Sequence, residues 1–235
     1  VGLDKKVNIV IVPFHKQWST DGKVGSISPS IRIVNYNVVE QAPCTVGILI
    51  DRGSFSGSSN AMVCNLGYRV GVLYTGGEDD LEAIALASRL VENAFVQLVV
   101  VVLRNPPEAN NHVNENHFKS LNRRTENLDR IEFEEYVVSN GEEATHVIQS
   151  KEKCVDLLIV GRHHHNDCTF ASGLGEWKEC PELGLIGDML SSSYFSASVL
   201  VVVQQRLKDS AVGLSLAPFN NQKSFESDSV LLSES

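Results

Sequence analysis

The stretch Cys154 to Phe170, CVDLLIVGRHHHNDCTF, runs an apolar segment into Gly161, Arg162 and three consecutive histidines, His163, His164 and His165. Such a turn can serve a metal, a phosphate or a proton. Consecutive side chains on an extended chain alternate sides, so His163 and His165 would share one ligand while His164 points away. Asp167 or Cys168 could supply a third metal ligand, but no spaced second pair of ligands exists, and no metal is expected. Neighbouring imidazoles titrate near neutrality and each disfavours charging the next, which makes the three histidines candidates for pH sensing. For a phosphate, position is favourable, because ligands of open parallel sheets sit beyond the carboxyl ends of the strands, where Thr75, Gly76 and Gly77 also fall. Charge opposes it: Gly77 leads into Glu78, Asp79 and Asp80, whose carboxylates repel an anion. Those acids read as helix-capping groups, with Asp79 as the N-cap and Glu82 three residues on.

No enzyme is expected. The sequence has no G-x-S-x-G elbow, no Walker A loop and no H-E-x-x-H pair. Cys44 and His15 read as a core and a surface residue rather than as nucleophile and base. Gly175 to Gly184, GEWKECPELG, reads as a long loop anchored by Trp177. Five cysteines without a C-x-x-C pair indicate neither a disulfide framework nor a thiolate zinc site, and a reducing, cytosol-facing compartment fits them. A net charge of −9 with no basic block excludes electrostatic capture of nucleic acid. The longest apolar runs, Phe95 to Leu103 and Ser198 to Val203, fall short of the roughly 20 residues that span a bilayer.

The elements that must position these residues follow from periodicity. The 235 residues, 43% of them hydrophobic, suffice for one or two α/β domains. Short Val/Ile-rich runs predict strands at Val7–Val12, Thr45–Ile50, Val70–Tyr74, Val96–Leu103, Glu132–Val138, Leu157–Val160 and Val199–Val203. An amphipathic helix falls between Tyr74 and Phe95, with Leu81, Ile84, Ala85 and Leu90 on one face, and further helices over Ser28–Gln41, Glu142–Lys153 and Leu185–Phe195. The alternation predicts a parallel five-stranded sheet with flanking helices over residues 66–206. Residues 7–50 echo residues 155–203 as strand, long loop, helix, strand, so residues 1–52 read as the C-terminal part of a first lobe whose front half is missing. A Gly/Ser linker is expected at 53–65, a polar loop at Arg104 to His117, and a disordered Ser-rich tail at 207–235.

Several blocks together resemble the cytosolic carboxyl-terminal region of plant cation/H⁺ exchangers, the CHX branch of the monovalent cation:proton antiporters. They are VPFHKQWSTDG, NYNVVEQAPCTVGILIDRG, YTGGEDDLEAIALASRL, VDLLIVGRHH and GLGEWKECPELGLIGDMLSSSYFSASVLVVVQQ. The resemblance implies a regulatory tail, on the cytosolic side of an endomembrane or the plasma membrane, of a K⁺(Na⁺)/H⁺ antiporter. Its transport domain would lie upstream of Val1 and act in cation and pH homeostasis. That domain, with the K⁺ or Na⁺ and H⁺ that it moves, is the implied partner, and self-association through exposed sheet edges makes a homodimer an expectation too. The resemblance also implies lobes similar to universal stress proteins. Against the nucleotide-binding members of that fold, Thr75 stands at the acidic position after the first strand, His163 and His164 follow Gly161 where a second glycine belongs, and Gly187-Asp188 aligns with the closing Gly-Ser. Asp188 would bring a carboxylate towards a phosphate, so no cofactor is expected. The alternative is a soluble universal-stress-like protein that binds a nucleotide or a metal.

Overall fold

The computed structural model describes residues 7–18, 24–53, 67–106, 130–164, 179–192 and 195–205. The linker expected at 53–65 and the tail at 207–235 fall almost wholly outside the described residues, as do Trp177, His165 and most of the loop after Arg104.

Among the described residues, seven of nine strands form one sheet in the order β1-β4-β9-β8-β5-β6-β7. They are β1 (Ile9–Pro13), β4 (Thr45–Ile50), β5 (Tyr68–Tyr74), β6 (Val96–Arg104), β7 (Ile131–Val137), β8 (Leu157–Gly161) and β9 (Ser198–Val203). All seven predicted strands are present, their ends moved by a residue or two. The five-stranded parallel unit β9-β8-β5-β6-β7 is present too. Sequence periodicity did not disclose the join: β4 pairs antiparallel with β9, from Val46↔Val203 to Ile50↔Val199, while β1 pairs parallel with β4. Two strands that could not stand alone are thereby completed by a neighbouring sheet. The join also relates the two echoing segments, because β1-β4 and β8-β9 are each a parallel pair and meet through their second strands in opposite directions.

Among the described residues, four α-helices cover the sheet: α1 (Pro29–Gln41), α2 (Glu78–Leu90), α3 (Gly141–Ser150) and α4 (Gly184–Leu190). Alternation along each strand sends side chains to opposite faces. On one face Ala83, Ile84 and Ala87 of α2 pack with Val72, Val100, Leu200 and Val202. On the other, Ala144 and Ile148 of α3 and Ile186 and Leu190 of α4 pack with Ile48, Leu158, Val199 and Val201. A short antiparallel hairpin, β2 (Lys16–Trp18) with β3 (Val24–Ile27), was not predicted. Its strands are three and four residues long, and all four residues of β3 are exposed, so no burial pattern marks them.

Candidate functional site

The carboxyl ends of β5 and β8 meet the start of α2. Gly76, at φ 107°, turns the chain after Thr75 in a conformation that favours glycine. A Cβ on Gly77 would sit 2.4 Å from the His163 carbonyl oxygen, and one on Gly161 would sit 2.3 Å from Asp80 Oδ1 and 2.7 Å from the Asp80 amide nitrogen. Glycine at both positions lets the helix start close against the end of β8.

The N-cap of α2 is Gly77, not Asp79. The capping acid is Asp80, in the third position of the helix, whose Oδ2 accepts from the Gly77 amide at 3.2 Å. The same oxygen accepts from the Thr75 amide at 2.8 Å and the Thr75 hydroxyl at 2.6 Å, and Oδ1 accepts from the Gly161 amide at 3.2 Å. Asp79 points instead across the sheet end. Its Oδ2 accepts from the His163 amide at 3.0 Å and pairs with His163 Nδ1 at 2.6 Å, and its Oδ1 accepts from the Gln204 amide at 2.8 Å. Both carboxylates are buried. Five backbone amides at a place where an anion would bind are thus taken by the chain's own acids. Sequence reasoning saw the repulsion but read Asp79 as a cap.

His164 turns inward, with its side chain 6% exposed, whereas His163 is half-exposed. His163 and His164 point to different sides, but His164 is the inward ring, because Asp79 holds His163 by both its amide and its ring. His164 Nδ1 lies 3.0 Å from Thr75 Oγ1 and 3.8 Å from Asp80 Oδ1. Since the Thr75 hydroxyl donates to Asp80, the chain of donors assigns the proton to His164 Nδ1 and leaves a buried Nε2 with no hydrogen-bond partner among the described residues. Burial holds the His164 imidazole below its ordinary value, against the pull of Asp80 and Asp79. Burial pushes the Asp80 carboxyl up, against His164 and the donors from Thr75 and Gly77. For Asp79 burial also acts upward, but the hydrogen bonds from His163 and the Gln204 amide prevail and hold it below the usual carboxylate range.

Thr75, Gly76, Gly77, Gly161, His163 and His164 therefore converge on one sheet end. His165 lies outside the described residues. Asp188 is engaged elsewhere: its carboxylate accepts from the Glu179 amide at 2.8 Å and the Cys180 amide at 3.0 Å.

That loop belongs to a second cluster. His15, read from sequence as a surface residue, is buried because the chain after β1 runs under the turn Pro181–Leu183. Its Nδ1 lies 3.1 Å from Glu182 Oε1, and one ligand atom from each of His15, Cys180 and Glu182 falls within 4.8 Å of the others. Burial lowers the His15 imidazole, with Glu182 opposing, and pushes the Cys180 thiol up to about 12. No spacing rule joins residues so far apart in the chain; the β4–β9 join sets their two segments side by side, and Lys16 and Arg32 bond Glu179 between them.

Residues 67–205 match the family described as plant cation/H(+) antiporter, C-terminal domain, and residues 1–54 match a plant cation/H(+) antiporter domain. Cation/H(+) antiporter 14 of Arabidopsis thaliana is 39% identical over 95% of this chain and 27% of its own length. Cation/H(+) symporter 13 of the same plant is 40% identical over 89% of this chain and 26% of its own length. The chain thus spans about a quarter of the length of these relatives. Among solved structures, a universal stress protein from Archaeoglobus fulgidus is 13% identical over 85% of this chain and 64% of that one, with a TM-score of 0.47.

Proposed function

The chain belongs to the plant cation/H(+) antiporter family, and from that premise we propose that it is the cytosolic regulatory tail of a membrane K⁺(Na⁺)/H⁺ antiporter and has no chemistry of its own. No helix among the described residues is long and apolar enough to cross a membrane, so ion translocation is assigned to the antiporter's transport domain, the partner on which this tail acts. Residues 1–52 are read as the C-terminal part of a first lobe and 66–206 as a second. The apolar residues left exposed on β1 and α1, Ile11, Ile33, Val34 and Tyr36, support a first lobe with further surface to cover.

One observation carries the regulatory reading over nucleotide binding: Asp79 and Asp80 occupy the amides that a phosphate would need. What remains responsive there is the proton. We take His164, with Asp80, Asp79, His163 and Thr75 around it, as the group that senses acidity.

The test uses the full-length antiporter that contains this chain. Cation flux across membrane vesicles, measured against pH on the tail's side, is expected to lose its response on the acid side of about pH 6.5 when His164, held below its ordinary value by burial, is replaced by Gln. An unchanged response removes His164 from the mechanism. ATP added to the chain is expected to leave its melting temperature unmoved. Stabilisation of about 2.7 kcal/mol at 100 times a dissociation constant would instead establish a nucleotide-binding protein.

A further inference from the structure

The geometry points to a divalent metal site, of the kind zinc takes, built from His15 Nδ1, Cys180 Sγ and a carboxylate oxygen of Glu182. It goes beyond the reading above and does not depend on it. The three residues are 2%, 0% and 2% exposed, and their ligand atoms all lie within 4.8 Å of one another. Imidazole, thiolate and carboxylate are together a zinc donor set.

Two further observations separate this cluster from a buried ion pair. His15 Nδ1 and Glu182 Oε1 approach to 3.1 Å, yet neither atom has a hydrogen-bond partner among the described residues. Buried polar atoms are nearly always partnered, and two orphans side by side mark a place where something else satisfies both. Distance agrees as well. Zinc bonds of about 2.0–2.3 Å at tetrahedral angles set ligand atoms about 3.3–3.6 Å apart, so the cluster closes on an ion with shifts of about 1 Å or less.

The surroundings fix the ligands. The Asp188 carboxylate accepts from both the Glu179 and the Cys180 amides and holds the loop that carries the thiol. His15 packs against the Phe14 ring, with centroids 4.3 Å apart. Arg32 Nε, 3.7 Å from Glu182 Oε1, is the nearest competing cation, and its guanidinium also donates to the Glu179 carbonyl at 2.7 Å, which keeps it a partner when the carboxylate turns to a metal. Charge balances: zinc takes the place of the proton that Cys180 releases to solvent, and thiolate plus carboxylate neutralise the dication. The fourth position is left to water. Because His15 follows β1 while Cys180 and Glu182 precede α4, an ion here fastens the two echoing halves across the β4–β9 join.

The experiment titrates the metal-free 235-residue chain with Co²⁺ as a spectroscopic stand-in and then displaces it with Zn²⁺. One equivalent of Co²⁺ is expected to produce visible bands of tetrahedral cobalt and a near-ultraviolet thiolate-to-cobalt band, both abolished by Zn²⁺. Cys180→Ser should remove the thiolate band, and His15→Gln should weaken binding by at least about 100-fold, beyond the 10- to 100-fold loss typical when only a supporting partner of a ligand is removed. Should these variants fail to fold, X-ray absorption of the zinc-loaded wild-type chain still decides, with one sulfur and nitrogen or oxygen neighbours expected. A zinc shell without sulfur, as binding to the His163–His165 run would give, overturns the site. So does a thiolate band that survives Cys180→Ser, or the absence of stoichiometric binding.

Discussion

Asp80 accepts four hydrogen bonds in a fully buried position. Replacing it by Ala leaves several donors without a partner, each costing about 1–3 kcal/mol. Asp80→Ala is therefore expected to lower unfolding stability by at least about 3 kcal/mol in denaturant titration, and Asp80→Asn, which keeps one acceptor oxygen, by less. For His164 the sign is set by burial. Its folded value lies below the about 6.5 of an unfolded histidine, so the unfolded chain binds more protons and stability is lost as pH falls through about 6.5 towards the folded value. Asp80, raised in the folded chain, acts oppositely: its contribution is full below about 3.9 and is lost as pH rises through its folded value. Midpoints of unfolding between pH 7.5 and 5 should fall for the wild type and fall by less in His164→Gln, the remainder coming from His15, whose imidazole burial also lowers. At this scale the sequence disclosed the histidines, the glycines and the hostility to phosphate. It did not disclose that Asp79 and Asp80 fill the amides or that His164 is the inward ring, because both depend on how closely α2 meets β8.

That approach is a property of elements. The start of α2 lies against the end of β8 because Gly77 and Gly161 present bare backbone, and a methyl group at position 161 would press on the Asp80 amide as well as its carboxylate. Gly161→Ala is expected to cost about 1–3 kcal/mol or more, since backbone on both sides limits relaxation. Denaturant midpoints measure the loss, and the perturbation should appear in the amide spectra of Thr75 and Gly77 before any in α3. Helix and strand periods were legible wherever an element buries a regular face, as in the α2 face that holds Ile84 and in the continuous apolar run of β6. The β2–β3 hairpin was not, since an exposed four-residue strand offers no alternation against a core.

Over the whole molecule, the parallel half of the sheet could be read from alternating strand and helix patterns, and the echo of residues 7–50 in 155–203 announced related units. The antiparallel join between β4 and β9 was illegible because both strands are apolar on each face and carry no register signal of their own. Ile48, fully buried and opposite Val201, lies at the middle of that join. Ile48→Ala is expected to cost about 2–5 kcal/mol. Loss of a single cooperative transition in that variant, with residues 7–50 detaching first, would show the join to be the weakest seam; a uniform drop would show that the sheet unfolds as one body.

The continuous sheet has a mechanical consequence. Tension applied along β1 is borne by ladder hydrogen bonds that run across the strands, so β4 and β9 share it in shear instead of peeling apart one bond at a time. A pull on the chain ahead of β1 is thus transmitted with little slack to β8, and it arrives at the end of the strand from which His163 and His164 emerge.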